Sequence, residues 1–252
     1  MTWITCPCDI DEGPAYRAAI GLIALASDTV SEPELSAFLP KDGVGLYTSR
    51  VPMPGIATVE TLEGMKDSLK AAAELLVPDD RLDVVVFGCT AGATLIGSET
   101  IARLVNATRR EPVACSDPIL AGVAALRALN CRRIALLTPY IDSVGDVVAG
   151  HFSANGFEVA AKASFKQTGD PEMARIAPHS IYRAAVELGR QETIDGVFIS
   201  CTALRVSPVI EAIERDIGKP VASSNQALAW HCLRLAGYDE VLEARGSLFR
   251  CR

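Results

Sequence analysis

Two stretches of the sequence, LDVVVFGCT (82–90) and IDGVFISCT (194–202), decide the fold. Each is a short apolar run that ends in a Cys-Thr pair and is followed by a segment of helical length. Strands that are apolar on both faces and alternate with helices are typical of parallel sheets covered on both sides. The two stretches therefore predict an α/β fold.

Six further segments have the character of strands and alternate with helical segments. Two are strong, and the other four have a weaker pattern: 18–27 and 132–140, then 44–51, 112–116, 157–165 and 220–224. The order of segments also repeats, because LDVVVFGCT precedes PVACSD and PILAGVAALRAL, while IDGVFISCT precedes PVASSN and QALAWHCLRLAG. A period of roughly 112 residues indicates a duplicated domain, since solenoid repeats are much shorter. We also lay Leu22–Asp28 over Ile134–Tyr140, which places Asp28 opposite Tyr140.

The composition excludes several classes of protein. The chain has 252 residues, of which 49% are hydrophobic and 22% charged, so it can bury a sizeable core. A net charge of −7 argues against a nucleic-acid or membrane partner, and no apolar run is long enough to span a bilayer. The start, MTWITCPCDIDEGP, lacks the pattern of a secretory signal, so we expect a cytoplasmic protein whose eight cysteines are thiols.

Polar residues gather at the ends of the predicted strands, where open parallel sheets bind their ligands. The pairs Cys89-Thr90 and Cys201-Thr202 lie at such ends, as do 27–29 and 138–140. A single cysteine there is most often a small buried hydrophobe, but recurrence of the pair in both halves favours a reactive role. If the domains face each other, the four clusters meet in one interdomain cleft with a thiol on either side of a substrate.

The two cysteines are placed to react. A helix is predicted to begin near Ala91, after Cys89, and another near Val206, after Cys201. The positive end of a helix lowers the pKa of a nearby thiol, so we expect both thiols to be activated. The segment Cys6-Pro7-Cys8 lacks a second Cys/His pair with ligand spacing, and we predict no metal site.

The motifs FGCTAG, ISCTAL, TPYIDSV and SSNQALAWHCLRLAG resemble the aspartate/glutamate racemase superfamily. Within it the sequence is most similar to the branch of maleate cis-trans isomerases and arylmalonate decarboxylases, which includes relatives linked to ectoine breakdown. The resemblance implies two pseudosymmetric Rossmann-like domains, each a short parallel sheet flanked by helices. It also implies that the C-terminal segment completes the first domain. The predicted domains are 1–116 plus 226–252, and 117–225.

The resemblance implies a cofactor-independent isomerase or racemase that acts on a small carboxylic acid. In a racemase one cysteine removes a proton and the other returns it on the opposite face; in the maleate isomerases one cysteine attacks the alkene. The related decarboxylases keep only the cysteine equivalent to Cys201, as proton donor, so the presence of Cys89 argues against decarboxylation. Decarboxylation stays an alternative, as does a non-catalytic small-molecule binding protein, because two lobes around a cleft describe that class too.

The substrate contacts are predicted from the same motifs. Hydroxyls and amides at Thr90 and Thr202 suit a carboxylate. Tyr140 matches a tyrosine that hydrogen-bonds a substrate carboxylate in this branch. Thr29 is a further candidate, and Asn225 is either a contact or the cap of a helix. A homo-oligomer is possible through an apolar helix face.

Asp28 departs from the family pattern, because maleate isomerases usually carry asparagine at the end of the first strand. A carboxylate that faces a substrate carboxylate is repulsive, which puts simple maleate binding in doubt. Asp28 either contacts a substrate ammonium or amide, or assists Cys89 as an acid–base partner. Its plainer alternative is a helix cap, the role we also assign to Asp117 before Pro118.

Overall fold

The computed structural model describes residues 2–53 and 65–252. Its strands lie within the predicted segments, or within two residues of them. The strands are β1 (Ala18–Leu25), β2 (Val44–Val51), β3 (Val84–Phe87), β4 (Ala114–Ser116), β5 (Arg133–Tyr140), β6 (Glu158–Gln167), β7 (Gly196–Ile199) and β8 (Val221–Ser223). The helices of the described ranges are α1 (Ser31–Phe38), α2 (Lys66–Glu74), α3 (Thr90–Ile96), α4 (Ser98–Asn106), α5 (Pro118–Ala128), α6 (Asp142–Ala154), α7 (Asp170–Ala174), α8 (Pro178–Gly189), α9 (Ile210–Ile217) and α10 (Ser224–Leu235).

The strands form two parallel sheets with the same topology. The first has the order β2-β1-β3-β4, and the second has the order β6-β5-β7-β8. The prediction of an α/β protein with two pseudosymmetric domains is confirmed. Every strand in a parallel sheet points the same way, so the residues that follow β1, β3, β5 and β7 lie at one edge of their sheet.

The register corrects one detail of the predicted repeat. Ile20 of β1 pairs with Val84 of β3, and Ile134 of β5 pairs with Gly196 of β7. Val84 and Gly196 each stand five residues before the cysteine of their half, so Ile20 is the equivalent of Ile134. The overlay of Leu22 on Ile134 was therefore wrong by two residues, and Asp28 is not the equivalent of Tyr140.

Helices cover both sheets and the cores lie between the layers. Helix α5 begins at Pro118 after Asp117, whose carboxylate accepts hydrogen bonds from Ile119 and Leu120 N–H at 2.9 Å, as predicted for a cap. At Gly122 a Cβ would lie 2.8 Å from the ring of Phe198, so glycine lets α5 approach β7 closely.

The C-terminal helix α10 packs along α5 and α1 and also contacts β3, β4 and β8. It therefore runs from β8 of the second sheet toward the first sheet, next to the cavity described below. The domain boundaries, 1–116 plus 226–252 and 117–225, stay a prediction, as does a homo-oligomer. Over the ranges that the structure describes, no helix is long and apolar enough to cross a membrane.

Candidate active site

One cavity lies where the ends of β1, β3, β5 and β7 meet. It contains all of the predicted site residues except Asn225, and its lining is Leu25, Ser27, Asp28, Thr29, Cys89, Thr90, Ala91, Tyr140, Asp170, Ala174, Cys201, Thr202 and Ala203. Its volume is about 20 Å³, which is room for one or two water molecules. A substrate with several carbon atoms can therefore enter only when the walls of the cavity move apart.

Cys89 caps the start of α3. Its Sγ accepts a hydrogen bond from the Gly92 N–H at 3.3 Å, and the residue is 6% exposed. A Cβ at position 92 would lie 3.1 Å from this Sγ and 2.6 Å from the terminal methyl of Met65. Glycine at this position therefore gives the thiol its place against the first turn of α3. The prediction that a helix follows Cys89 is confirmed.

Cys201 is held by a turn, and the predicted helix that follows it is present but begins later than near Val206. Helix α9 begins only at Ile210. Pro208 disfavours helical backbone at Ser207, which accounts for the later start. In the turn the Ala203 N–H donates to the Cys201 Sγ at 3.3 Å, and Cys201 has a φ of 122°. A positive φ in a residue with a Cβ is strained, so the surrounding contacts hold this thiol in place.

Burial raises the pKa of both thiols, which corrects the expectation of lowered values. The pKa of Cys201 rises to about 12 and that of Cys89 lies well above its usual range, since desolvation disfavours the thiolate. The hydrogen bond from the Gly92 N–H lowers the pKa of Cys89, and the nearby hydroxyl of Tyr140 lowers the pKa of Cys201, but neither offsets burial. Both thiols are therefore protonated at neutral pH in the closed cavity.

Two hydrogen bonds connect Cys201 to Thr90 through Ser224, which sequence reasoning missed. The Cys201 N–H donates to the Ser224 Oγ at 3.0 Å, and this oxygen lies 3.0 Å from the Thr90 Oγ1. Thr90 and Tyr140 line the same cavity as Cys201. The motif SSNQALAW contained the signal, but Asn225 was the residue predicted from it.

Replacing Ser224 by alanine is expected to lower kcat about tenfold, because it leaves the buried Cys201 N–H without an acceptor and breaks the connection to Thr90. Ser200→Ala is the matched control. Ser200 is also buried, it precedes Cys201, and its hydroxyl has no hydrogen-bond partner among the described residues. Steady-state kinetics together with thermal unfolding check this expectation. Equal kinetics for the two variants would show that Ser224 does not position Cys201.

Thr202 and Asn225 serve the contact between the halves. The Thr202 hydroxyl donates to the Gly88 carbonyl at 3.0 Å, and the Asn225 Nδ2 donates to the Thr202 carbonyl at 2.8 Å. Asn225 is buried behind the cavity wall and does not line the cavity. Its alternative role as a cap is wrong, because Ser223 caps α10 by accepting from the Gln226 N–H.

Asp28 is 8% exposed and has the hydrogen bonds of a cap. Its Oδ1 accepts from the N–H groups of Val30 at 2.7 Å and Ser31 at 2.9 Å, and its Oδ2 accepts from the Ser31 hydroxyl. These donors at the start of α1 fix the carboxylate while it still faces the cavity. Asp28 therefore makes the hydrogen bonds expected of a helix cap.

Asp170 is a second carboxylate in the cavity, and sequence reasoning missed it. It begins α7 in the second half of the chain and accepts a hydrogen bond from the Ser27 hydroxyl in the first half. Burial and the charge of Asp28 raise its pKa. Gly169-Asp170-Pro171 carries no signal beyond that of a turn, because only the meeting of the two halves brings this side chain to the thiols.

Replacing Asp170 by asparagine is expected to lower the pKa of Cys89 and Cys201, since the charge of Asp170 raises both. Alkylation by iodoacetamide requires the thiolate, so both cysteines should react at lower pH in this variant. Peptide mass spectrometry after labelling between about pH 7 and pH 10 measures the shift. Asp146→Asn, at an exposed position on α6, is the control. Unchanged pH profiles in D170N would contradict the expectation.

Across residues 2–53 and 65–252, the structure contains no group of three or more His, Cys, Asp or Glu side chains suited to a metal ion. All eight cysteines are free. The groups of the cavity that can take part in a reaction include two thiols, two carboxylates and the side chains of Thr90 and Tyr140.

Two like parallel sheets that each bring a cysteine to a shared cavity define a class of α/β proteins with a paired-thiol site. Residues 56–249 match the family described as arylmalonate decarboxylase, and the chain belongs to that family. Its similarity to both branches named by the sequence motifs, maleate isomerases and arylmalonate decarboxylases, confirms the predicted resemblance.

Three relatives illustrate the similarity. The chain is 30% identical to arylmalonate decarboxylase of Bordetella bronchiseptica over 81% of this chain and 88% of that protein. It is 27% identical to a maleate isomerase of Nocardia farcinica over 92% and 95% of the two chains. A solved structure of Nocardia farcinica maleate cis-trans isomerase, a cysteine variant with a covalently bound succinylcysteine intermediate, has a TM-score of 0.84 at 24% identity, with coverage of 92% and 98%. This last likeness shows the shared fold.

Proposed function

We propose that the protein is a cofactor-independent isomerase or racemase that acts on a small carboxylic acid through Cys89 and Cys201. The observation that carries this function is the convergence of the two thiols, one from each sheet, on one buried cavity. Curated relatives that are named maleate isomerases support an isomerase. The relative named arylmalonate decarboxylase supports decarboxylation as the minor alternative, with Cys201 as the proton donor.

The two thiols suit a reaction with two proton transfers. The thiolate of one cysteine removes the proton from the carbon next to the substrate carboxylate, and the electron pair spreads into the carboxylate. The thiol of the other cysteine then donates its proton to the opposite face and becomes the thiolate. A thiolate whose pKa is raised by burial is scarce, but it is a stronger base toward a weakly acidic C–H group.

An unsaturated substrate can use the same groups in another way. One thiolate adds to the carbon–carbon double bond and forms a C–S bond, which leaves a carbanion next to the carboxylate. Rotation about the new single bond, followed by loss of the thiolate, gives the other geometric isomer with no net change in atoms or electrons.

Neutral donors hold the substrate carboxylate in this proposal. Thr90 and Tyr140, which carry hydroxyls, line the cavity, as do Ala91 and Ala203. Such donors bind an anion and stabilise negative charge that develops in the reaction. Thr29 and Thr202 are the further contacts that we assign to the substrate, while Asn225 holds the backbone of Thr202.

We also propose that the protein works in a reducing compartment such as the cytoplasm. Cys89 and Cys201 must stay free thiols for the chemistry described above. The absence of disulfides among the eight cysteines supports this location.

Incubation with candidate acids in heavy water tests the function. A racemase exchanges the α-proton for deuterium, a decarboxylase releases carbon dioxide, and addition of a thiolate followed by rotation gives a geometric isomer. We expect exchange or isomerisation that needs both cysteines. Release of carbon dioxide that survives Cys89→Ala would establish the decarboxylase alternative. Binding of an acid without any of the three changes would establish a binding protein.

A further inference from the structure

The charged groups of the cavity are unusual for a protein that binds a carboxylate. Asp28 comes from the first half and Asp170 from the second, and both line the cavity with the thiols. Each carboxylate raises the pKa of Cys89 and of Cys201, so both lie close enough for their charges to reach both sulfur atoms. The substrate must therefore approach two negative charges.

Among the described residues that line the cavity there is no Lys, Arg or His to offset these charges. Arg50 contacts the segment that carries Asp28. Its guanidinium donates to the carbonyls of Leu25 and Asp28 and pairs with Glu32. It stabilises the backbone that carries Asp28 and does not enter the cavity.

The carboxylates differ in how far their own neighbours satisfy them. Three donors hold Asp28, whereas Asp170 accepts a hydrogen bond from Ser27 alone among the described residues. Asp170 therefore has the larger capacity to accept a hydrogen bond from a ligand, while Asp28 supplies a fixed charge. The two carboxylates stand on opposite halves of the chain, so a group bound between them contacts both.

We infer that the substrate is a zwitterion, with one carboxylate and one ammonium group, and that its ammonium lies between Asp28 and Asp170. This inference rests on the proposed function and names the substrate class of that site. The carboxylate then binds the neutral hydroxyls of Thr90 and Tyr140. A dicarboxylate such as maleate brings a second negative charge toward the aspartates, which is repulsive in a buried site.

The ammonium also has a chemical consequence. It offsets part of the negative charge that raises the pKa of the thiols, so binding of the substrate favours formation of the thiolate. A dicarboxylate has the opposite effect, because it adds negative charge. The two aspartates thereby select the substrate and make the thiols respond to it.

Three acids with four carbon atoms test the inference through binding: DL-2-aminobutyrate, DL-2-hydroxybutyrate and maleate. The first two differ in one group, ammonium against hydroxyl. In the wild type we expect aminobutyrate to bind at least about tenfold more tightly than either other acid by calorimetry. In the double variant D28N/D170N the preference should disappear, and maleate should bind at least about tenfold more tightly than it does to the wild type.

Three outcomes would overturn the inference. They are equal or tighter binding of hydroxybutyrate or maleate by the wild type, a preference for aminobutyrate that persists in D28N/D170N, and no binding of aminobutyrate. Circular dichroism and the melting temperature show whether the variant is folded, and the single variants D28N and D170N replace it if it is not.

Turnover separates this inference from the proposed function. Aminobutyrate that binds with the expected preference but exchanges no α-proton in heavy water supports the inference and contradicts the function. Isomerisation of maleate by the wild type that needs both cysteines supports the proposed function and contradicts the inference. The two proposals therefore fail in different experiments.

Discussion

Alanine at Cys89 or at Cys201 is expected to lower kcat/KM by a factor of about 10³ or more, because each thiol makes a proton transfer or a covalent bond that no other group in the cavity replaces. The double variant should be little worse than either single variant, since residues that act as a unit are not additive. Steady-state kinetics with the substrate identified by the binding and exchange experiments measures these losses.

The control is Cys131→Ala, a buried thiol outside the cavity. It should leave kcat/KM within about threefold of the wild type, because removal of one buried sulfur affects mainly packing. If Cys89→Ala or Cys201→Ala retained about a tenth or more of the wild-type activity, the mechanism with two thiols would be refuted. Loss of activity in Cys201→Ala but not in Cys89→Ala would indicate that Cys201 is the proton donor of a decarboxylase.

Glutamine at Glu34 is expected to destabilise the protein by about 1–3 kcal/mol. Glu34 lies on α1 in the first half and is buried, and its carboxylate accepts from the N–H groups of Val206 and Ser207 and from the Ser207 hydroxyl. Glutamine offers one oxygen in place of two and brings an NH₂ group toward these donors. A buried donor is thereby left without a partner.

The same substitution should lower kcat, because Val206 and Ser207 belong to the loop that follows Cys201. Urea unfolding gives the change in free energy, and kinetics below the transition gives the change in kcat. Glu99→Gln, at an exposed position of α4, is the control and should differ from the wild type by less than about 0.5 kcal/mol. Equal stability of the two variants would mean that Glu34 does not join the halves of the molecule.

The strands and the place of the active site could be predicted because local features encode them. Apolar runs such as Val84–Phe87 and Gly196–Ile199 mark strands that are covered on both faces, and the repeated Cys-Thr pair marks the ends of two of them. The parallel topology then brings Cys89 and Cys201 to the same edge of like sheets, without any knowledge of contacts distant in sequence.

The electrostatics of the site could not be predicted, because they depend on contacts between residues far apart in the chain. Asp170 reaches the cavity only through its contact with Ser27. Ser224 acts on Cys201 from the helix that begins the return to the first sheet. The sequence favoured low pKa values from helix ends, whereas the depth of burial, which no local pattern reveals, decides the direction of the shift.

The two thiols are not equivalent, although they come from duplicated halves. Cys89 caps a regular helix, whereas Cys201 lies in a strained turn. The equilibrium constant of a racemisation is unity, so kcat/KM must be the same for both enantiomers. If the unequal thiols make kcat differ between the two directions of the reaction, KM must therefore differ by the same factor. The enzyme then converts one enantiomer faster than the other at high substrate concentration, and it converts both at the same rate at low substrate concentration.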